Sequence, residues 1–271
     1  MDINIYQIFY NAETKNKLLP GFIPLDNTNN LRPDWYEFSV ILDFLNANKL
    51  NNDDWYGFLS PKFIEKTGIN SDIVIKIIQK NSMYADVALF SPGWDQLSYF
   101  LNPFEQGDVW HPGLLDASQK IFDEYGLDIS LSKLVCDTTS SVFSNFIIAK
   151  KKFWEEWKKL SQFFYDYCEN HPDYQVTTSY GSSEYQAPLK TFIQERFASV
   201  ILSTNNFNVI SIDQSYTTPL FNRLYPENLE TRKFLHTCDL MKKLYRETKD
   251  ANYLKMYWEI RSRIKYTSPI N

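Results

Sequence analysis

The chain has 271 residues and a formal charge of −5, with eighteen Tyr, twenty Phe and seven Trp but only eight Gly. That length supports a substantial core in one large domain or two small ones, and the acidic balance argues against a general nucleic-acid binder. Scarce glycine, with no G-x-G-x-x-G and no Walker-type loop, argues against a Rossmann dinucleotide site or a P-loop.

The opening "MDINIYQIFYNAETKNK" has no basic stretch followed by an apolar run, and no run of about 18 apolar residues occurs. Cys136, Cys168 and Cys238 are far apart, odd in number and form no C-x-x-C. A reduced, cytoplasmic protein without structural zinc is expected.

In chain order, "INIYQIFY" (3–10) predicts a first strand, followed by a polar loop. Pro33 opens a predicted helix in which Trp35, Phe38, Ile41, Leu42 and Leu45 recur at helical spacing. "WYGFLS" (55–60) predicts a second strand. "SPKFIEKTG" (60–68) predicts a short helix with Ser60 as cap, Pro61 in the first turn and Gly68 as stop. Residues 71–81 predict a helix and "ADVALF" (85–90) a third strand. In "NPFEQGDVWHPG" (102–113), Glu105, Asp108 and His111 stand three apart, and Pro103, Gly107 and Pro112 predict an irregular backbone. A helical piece follows at about 114–125. Residues 140–149 predict a strand, 151–170 a long amphipathic helix, 171–187 a polar loop, 188–205 one helix and 207–212 a late strand. Strands alternating with helices predict an α/β layered domain with a mostly parallel sheet.

Residues 232–265 hold ten Lys/Arg against four acids, a local +6 that leaves −11 on the rest of the chain. Tyr245, Tyr253, Tyr257, Trp258 and Tyr266 are interleaved with them. Such a helix can lie on an anionic membrane surface, or be a solvated face that packs its aromatics on the domain.

Several short motifs occur in a recognisable order. They are Asp26-Asn27-Thr28-Asn29-Asn30 after the first strand, Tyr36-Glu37 on the next helix, "DDWYGFLSPKF", "FSNFIIAKKKFW" with Asn145, and Glu195-Arg196. Over residues 3 to about 205 the chain resembles the small glycosyltransferases with a GT-A-like fold encoded in bacterial capsule and O-antigen clusters. Where those relatives carry H-Y-R-R, this chain has Ser60-Pro61-Lys62-Phe63, and it contains no D-x-D.

The resemblance implies a GT-A-like, Rossmann-type nucleotide-binding domain over 1–225, with a basic, aromatic helical extension over 226–271 packed on it. It implies transfer of a sugar from a nucleotide-sugar to a cell-surface polysaccharide or lipid-linked oligosaccharide, in the cytoplasm or peripherally on the inner membrane. Asp26, Asn27, Glu37, Lys62 and Arg196 are then expected on the donor side. Trp94, Asp95, Glu105, Trp110 and Asn145 are expected on the acceptor side, with Asp108, His111 and Glu195 catalytic. No cofactor is required on this reading; the alternative is Mg²⁺ or Mn²⁺ held by scattered ligands such as Asp95, Glu105, Asp108 and His111.

Plainer roles stand beside these: an Asx-rich turn for Asp26 and Asn27, a core plug for Trp94, and a helix-surface ion pair for Glu195 and Arg196. The rival function is a non-catalytic carbohydrate- or membrane-surface-binding module derived from such a transferase.

Overall fold

The computed structural model describes residues 1–175, 177–180, 182–215 and 225–267. The strands are β1 (Ile3–Phe9), β2 (Ile23–Asp26), β3 (Trp55–Leu59), β4 (Val87–Leu89), β5 (Ile147–Lys150), β6 (Thr177–Tyr180), β7 (Ser182–Pro188) and β8 (Val209–Ser211). The helices before β5 are α1 (Ala12–Lys15), α2 (Glu37–Ala47), α3 (Phe63–Thr67), α4 (Ser71–Asn81), α5 (Trp94–Tyr99), α6 (Pro103–Trp110) and α7 (Leu114–Glu124). After it come α8 (Lys151–Asn170), α9 (Leu189–Gln194), α10 (Phe197–Thr204), α11 (Leu229–Thr248) and α12 (Ala251–Arg261).

Six strands form one sheet in the order β2-β1-β3-β5-β4-β8, and β6 and β7 make a separate hairpin. All neighbours in the large sheet run parallel except β5, which is antiparallel to both β3 and β4. The fold is therefore α/β with a mixed, mostly parallel sheet.

Side chains alternate across the pleat and feed two cores. Tyr56, Phe58, Val87, Leu89, Ile147 and Ala149 face α2, α8 and α10. Trp55, Leu59, Ala88 and Ile148 face the layer that holds Phe63, Val74 and Ile78 of α3 and α4. Strands covered on both faces read as continuous apolar runs, which is why β3 is buried at all five positions. The longest stripe is on α8, where Phe153, Trp154, Trp157, Leu160 and Phe164 are buried. Trp154 also donates its indole N–H to Tyr56 O at 2.9 Å, tying that helix to the sheet.

Several expectations need correction. Segment 102–113 is not irregular: Asn102 accepts from Phe104 N and Glu105 N, Pro103 occupies the first turn, and a helix runs to Trp110. The helix expected from Pro33 is broken: Pro33–Trp35 is a 3₁₀ turn, Tyr36 has φ +50°, and α2 begins at Glu37. The long helix over 188–205 is two pieces separated at Glu195 and Arg196. The strand expected over 140–149 is confined to β5, because Ser140 turns back on Asp137 and Ser144 and Asn145 have positive φ. Two polar loops contain strands, β2 and the β6–β7 hairpin.

The basic tail docks by means of its charges. Lys242 is fully buried and donates to Leu97 O and Phe100 O at 2.5 and 2.6 Å. Arg246 pairs with Asp137 and Arg261 with Glu105, each at 2.7 Å. Tyr257 is buried and bonds Tyr99 O, while Tyr245, Tyr253 and Tyr266 pack on the same cluster. Among the described residues, no helix is long and apolar enough to cross a membrane.

Candidate functional site

The parallel strands end on one edge of the sheet, and a cavity of about 950 Å³ opens there. The chain leaves β1 toward β2 on one side while β3 lies on the other, so the crevice between β1 and β3 is a topological switch point. In open α/β sheets that is where ligands bind. Tyr10 follows β1, Asn27 and Asn30 follow β2, Ser60 and Lys62 follow β3, and Pro92 follows β4. Because β5 runs the other way, its entry residues Phe143, Ser144 and Asn145 reach the same edge.

Two helical segments supply the opposite wall. From α6 come Gln106 and Trp110, with His111 at its end. From α9 and the break behind it come Thr191, Phe192, Gln194, Glu195 and Arg196. His111 is 2% exposed and stacks on Phe192 with ring centroids 3.7 Å apart. Asn145 donates to Gln194 Oε1 at 3.0 Å. Asn145 Oδ1 and Thr191 Oγ1, on two lining residues, have no hydrogen-bond partner among the described residues.

Glu195 is half-buried, and the surrounding protein desolvates its carboxyl. Burial pushes it above the ordinary carboxylate range; Arg196 and Lys66 partly hold it down, and Glu37 adds to the rise. A carboxyl with a raised pKa in a cleft is suited to proton transfer.

Arg196 is a strut. Its guanidinium donates to Pro103 O at 2.7 Å, to Gln106 Oε1 at 2.9 Å and to Phe192 O, so it ties α9 to α6. The clamp on the α2 side is Asp34, which lies between Arg32 and the fully buried Lys190. Lys190 also sits 4.0 Å from the centre of the Trp35 ring. Burial raises the Asp34 carboxyl, but these two cations outweigh it and leave it below its ordinary value.

Of the residues expected from sequence, Asn27, Glu37, Lys62, Trp110, His111, Asn145, Glu195 and Arg196 come together around this cavity. The others lie apart from its lining. Asp26 is exposed and accepts from Thr28 N in an Asx turn. Asp95 is fully buried and accepts from Tyr225 Oη at 2.8 Å. Glu105 accepts from Leu101 N and pairs with Arg261. Asp108 accepts from Gly113 N and Leu115 N at the start of α7. Trp94 stacks on His236 beside a second cavity of about 130 Å³. The scattered cation set of Asp95, Glu105, Asp108 and His111 does not assemble, since three of its members are engaged in different places. Among the described residues, no group of three or more His, Cys, Asp and Glu is arranged to hold a metal ion.

Tyr36, named only for its motif, lines the cavity together with five residues that sequence reasoning passed over, Tyr10, Lys66, Gln96, Gln106 and Gln194. Lys66 alone carried a signal, one helical turn after Lys62.

Fold and cavity together define an α/β protein with a ligand-sized cleft at the carboxyl edge of its sheet. Comparison with family models, with curated proteins and with solved structures gives no match to this chain.

Proposed function

We propose that this protein is a glycosyltransferase with a GT-A-like fold, which moves a sugar from a nucleotide-sugar to a glycan acceptor. The observation that carries the reading is Glu195, a carboxyl of raised pKa in a large cleft at the switch point. The motif order described above supports the same class.

In the proposed reaction Glu195 is the base. It accepts the proton of an acceptor hydroxyl as that oxygen bonds to the anomeric carbon. The bond from that carbon to the diphosphate oxygen breaks, and its electron pair leaves with the diphosphate. Asp108 is replaced in this role because its carboxylate caps α7. Trp110 and Tyr36 offer rings on which sugars can stack, and His111, fixed by Phe192, orients the acceptor. Arg196 acts by holding α6 and α9 together. The acceptor is a cell-surface polysaccharide or a lipid-linked oligosaccharide met on the cytoplasmic side of the membrane.

The test is a thermal-shift screen against nucleotides and nucleotide-sugars, with Mn²⁺ or with EDTA, followed by donor turnover with glycan acceptors. A shift with a nucleotide-sugar and turnover cut by about 10²–10⁴ in Glu195→Gln are expected. Folded protein that responds to no nucleotide would sink the reading.

The engagement of Arg196 by protein acceptors supports a second reading, a non-catalytic carbohydrate-binding module. That module would bind glycans without donor turnover.

A further inference from the structure

We propose that Lys62, Lys66 and the Ser144–Asn145 turn form an anion site that takes the phosphate groups of the cavity's ligand. On the nucleotide-sugar reading, on which this assignment rests, that is the diphosphate end of the donor.

Lys62 is the N-cap of α3 and Lys66 lies in its last turn, with Lys66 N donating to Lys62 O at 2.9 Å, so they stand one helical turn apart. Both are exposed and line the cavity where β3 ends. Neither is ion-paired with a carboxylate among the described residues. Lys66 Nζ instead donates to a neutral group, Ser144 Oγ, at 2.9 Å. Other basic groups near the cavity are committed differently: Arg196 to oxygens of α6 and α9, and Lys190 to Asp34. Among the basic residues that line the cavity, the uncommitted positive charge is therefore on Lys62 and Lys66.

The turn beside them adds donors. Ser144 and Asn145 both have positive φ, at +61° and +52°, and neither backbone N–H donates to a described residue. The Ser144 hydroxyl is already drawn to Lys66 and can turn to a phosphate oxygen. Two ammonium groups, a hydroxyl and two amide N–H groups match the oxygens of a diphosphate, and charge-assisted bonds of this kind are the strong ones. Lys66 and Glu195 line the same cavity, and the ammonium group helps to hold the Glu195 carboxyl down.

Binding of inorganic pyrophosphate and of a panel of nucleoside diphosphates is to be measured by calorimetry on the wild type, Lys62→Ala, Lys66→Ala and Lys66→Arg. Thermal unfolding of each variant checks its fold; both lysines are exposed, so the fold should be kept. The expected result is binding of pyrophosphate and at least one nucleoside diphosphate by the wild type. Each alanine variant should weaken both by about tenfold, and Lys66→Arg should retain most of the affinity. Unchanged binding in both alanine variants overturns the anion site and leaves the nucleotide-sugar reading standing. Lysine-dependent binding of pyrophosphate with no nucleoside diphosphate bound supports the site and sinks that reading. A wild type that binds neither overturns both.

Discussion

The guanidinium of Arg196 occupies the space into which a side chain at Gly107 would grow: a β-carbon there would meet Nη2 at 2.5 Å and Cζ at 2.7 Å. Gly107 is thus the point at which α6 accepts the strut from α9. The end of an arginine usually moves aside at little cost, but this one is held by Pro103 O, Phe192 O and Gln106. Gly107→Ala is expected to break part of that set and to lower stability by about 2 kcal/mol in urea unfolding. Unaltered stability would mean that Arg196 has another well-bonded position.

Glu195 sets a pH dependence whose sign can be worked out. A base must be ionised, so activity rises with pH through its pKa, which lies above the ordinary 4.5. The acidic limb of kcat/KM is expected above that value. Lys66→Ala removes a stabilising positive charge and should move the limb to higher pH. Glu37→Gln removes a negative neighbour and should move it lower. Limbs that stay fixed in both variants would speak against Glu195 as the titrating group. Glu195→Gln itself should cut turnover by about 10²–10⁴ while leaving nucleotide binding in place.

Much of this site was legible in sequence, and the remainder was hidden for identifiable reasons. Strand and helix order came through because β1, β3, β4 and α8 are apolar in a pattern that burial dictates. Glu37, Asn145 and Glu195 were found through motif order. Asp108 was misassigned because a helix cap and a catalytic base use the same residue type, and only the partners Gly113 N and Leu115 N tell them apart. Proline and glycine in 102–113 pointed to irregular backbone, although Pro103 and Gly107 here serve the first turn and the Arg196 contact. Strand β2 was invisible because none of its four residues is fully buried.

Asp137 and Arg246 provide a separate test of how the last helices are held. Asp137 is 2% exposed, and burial alone would raise its carboxyl; Arg246 and the Thr139 bonds outweigh that and keep it below its ordinary 3.8. A depressed pKa contributes stability that is present above the unfolded value and lost as pH falls through the folded one. Arg246→Ala should cost about 3 kcal/mol at neutral pH, since a buried carboxylate loses its cation. The loss of stability on acidification below pH 3.8 should shrink in the variant. Chemical denaturation across pH measures both.

Arg261 lies 4.5 Å from the centre of the Tyr99 ring and pairs with Glu105 of α6. Arg261→Met should preserve the bulk of the side chain while removing the pair. Faster amide hydrogen exchange is expected in α6 and the His111 turn, with α2 and α8 unaffected. Equal acceleration everywhere would indicate global destabilisation instead.

The bridge from Arg261 to Glu105 also bears on how the protein is made. Glu105 leaves the ribosome long before its partner does, and Tyr99, Phe100 and Leu101 beside it are covered by Leu235, Met241 and Tyr257 only once the final hairpin exists. The cleft wall with Trp110 and His111 is therefore completed late in translation, whereas β1 and β3 can pair early. A nascent chain halted before residue 229 would leave Tyr99, Phe100 and Leu101 without the cover of Leu235, Met241 and Tyr257, so this face beside α6 closes only after α11 and α12 are made.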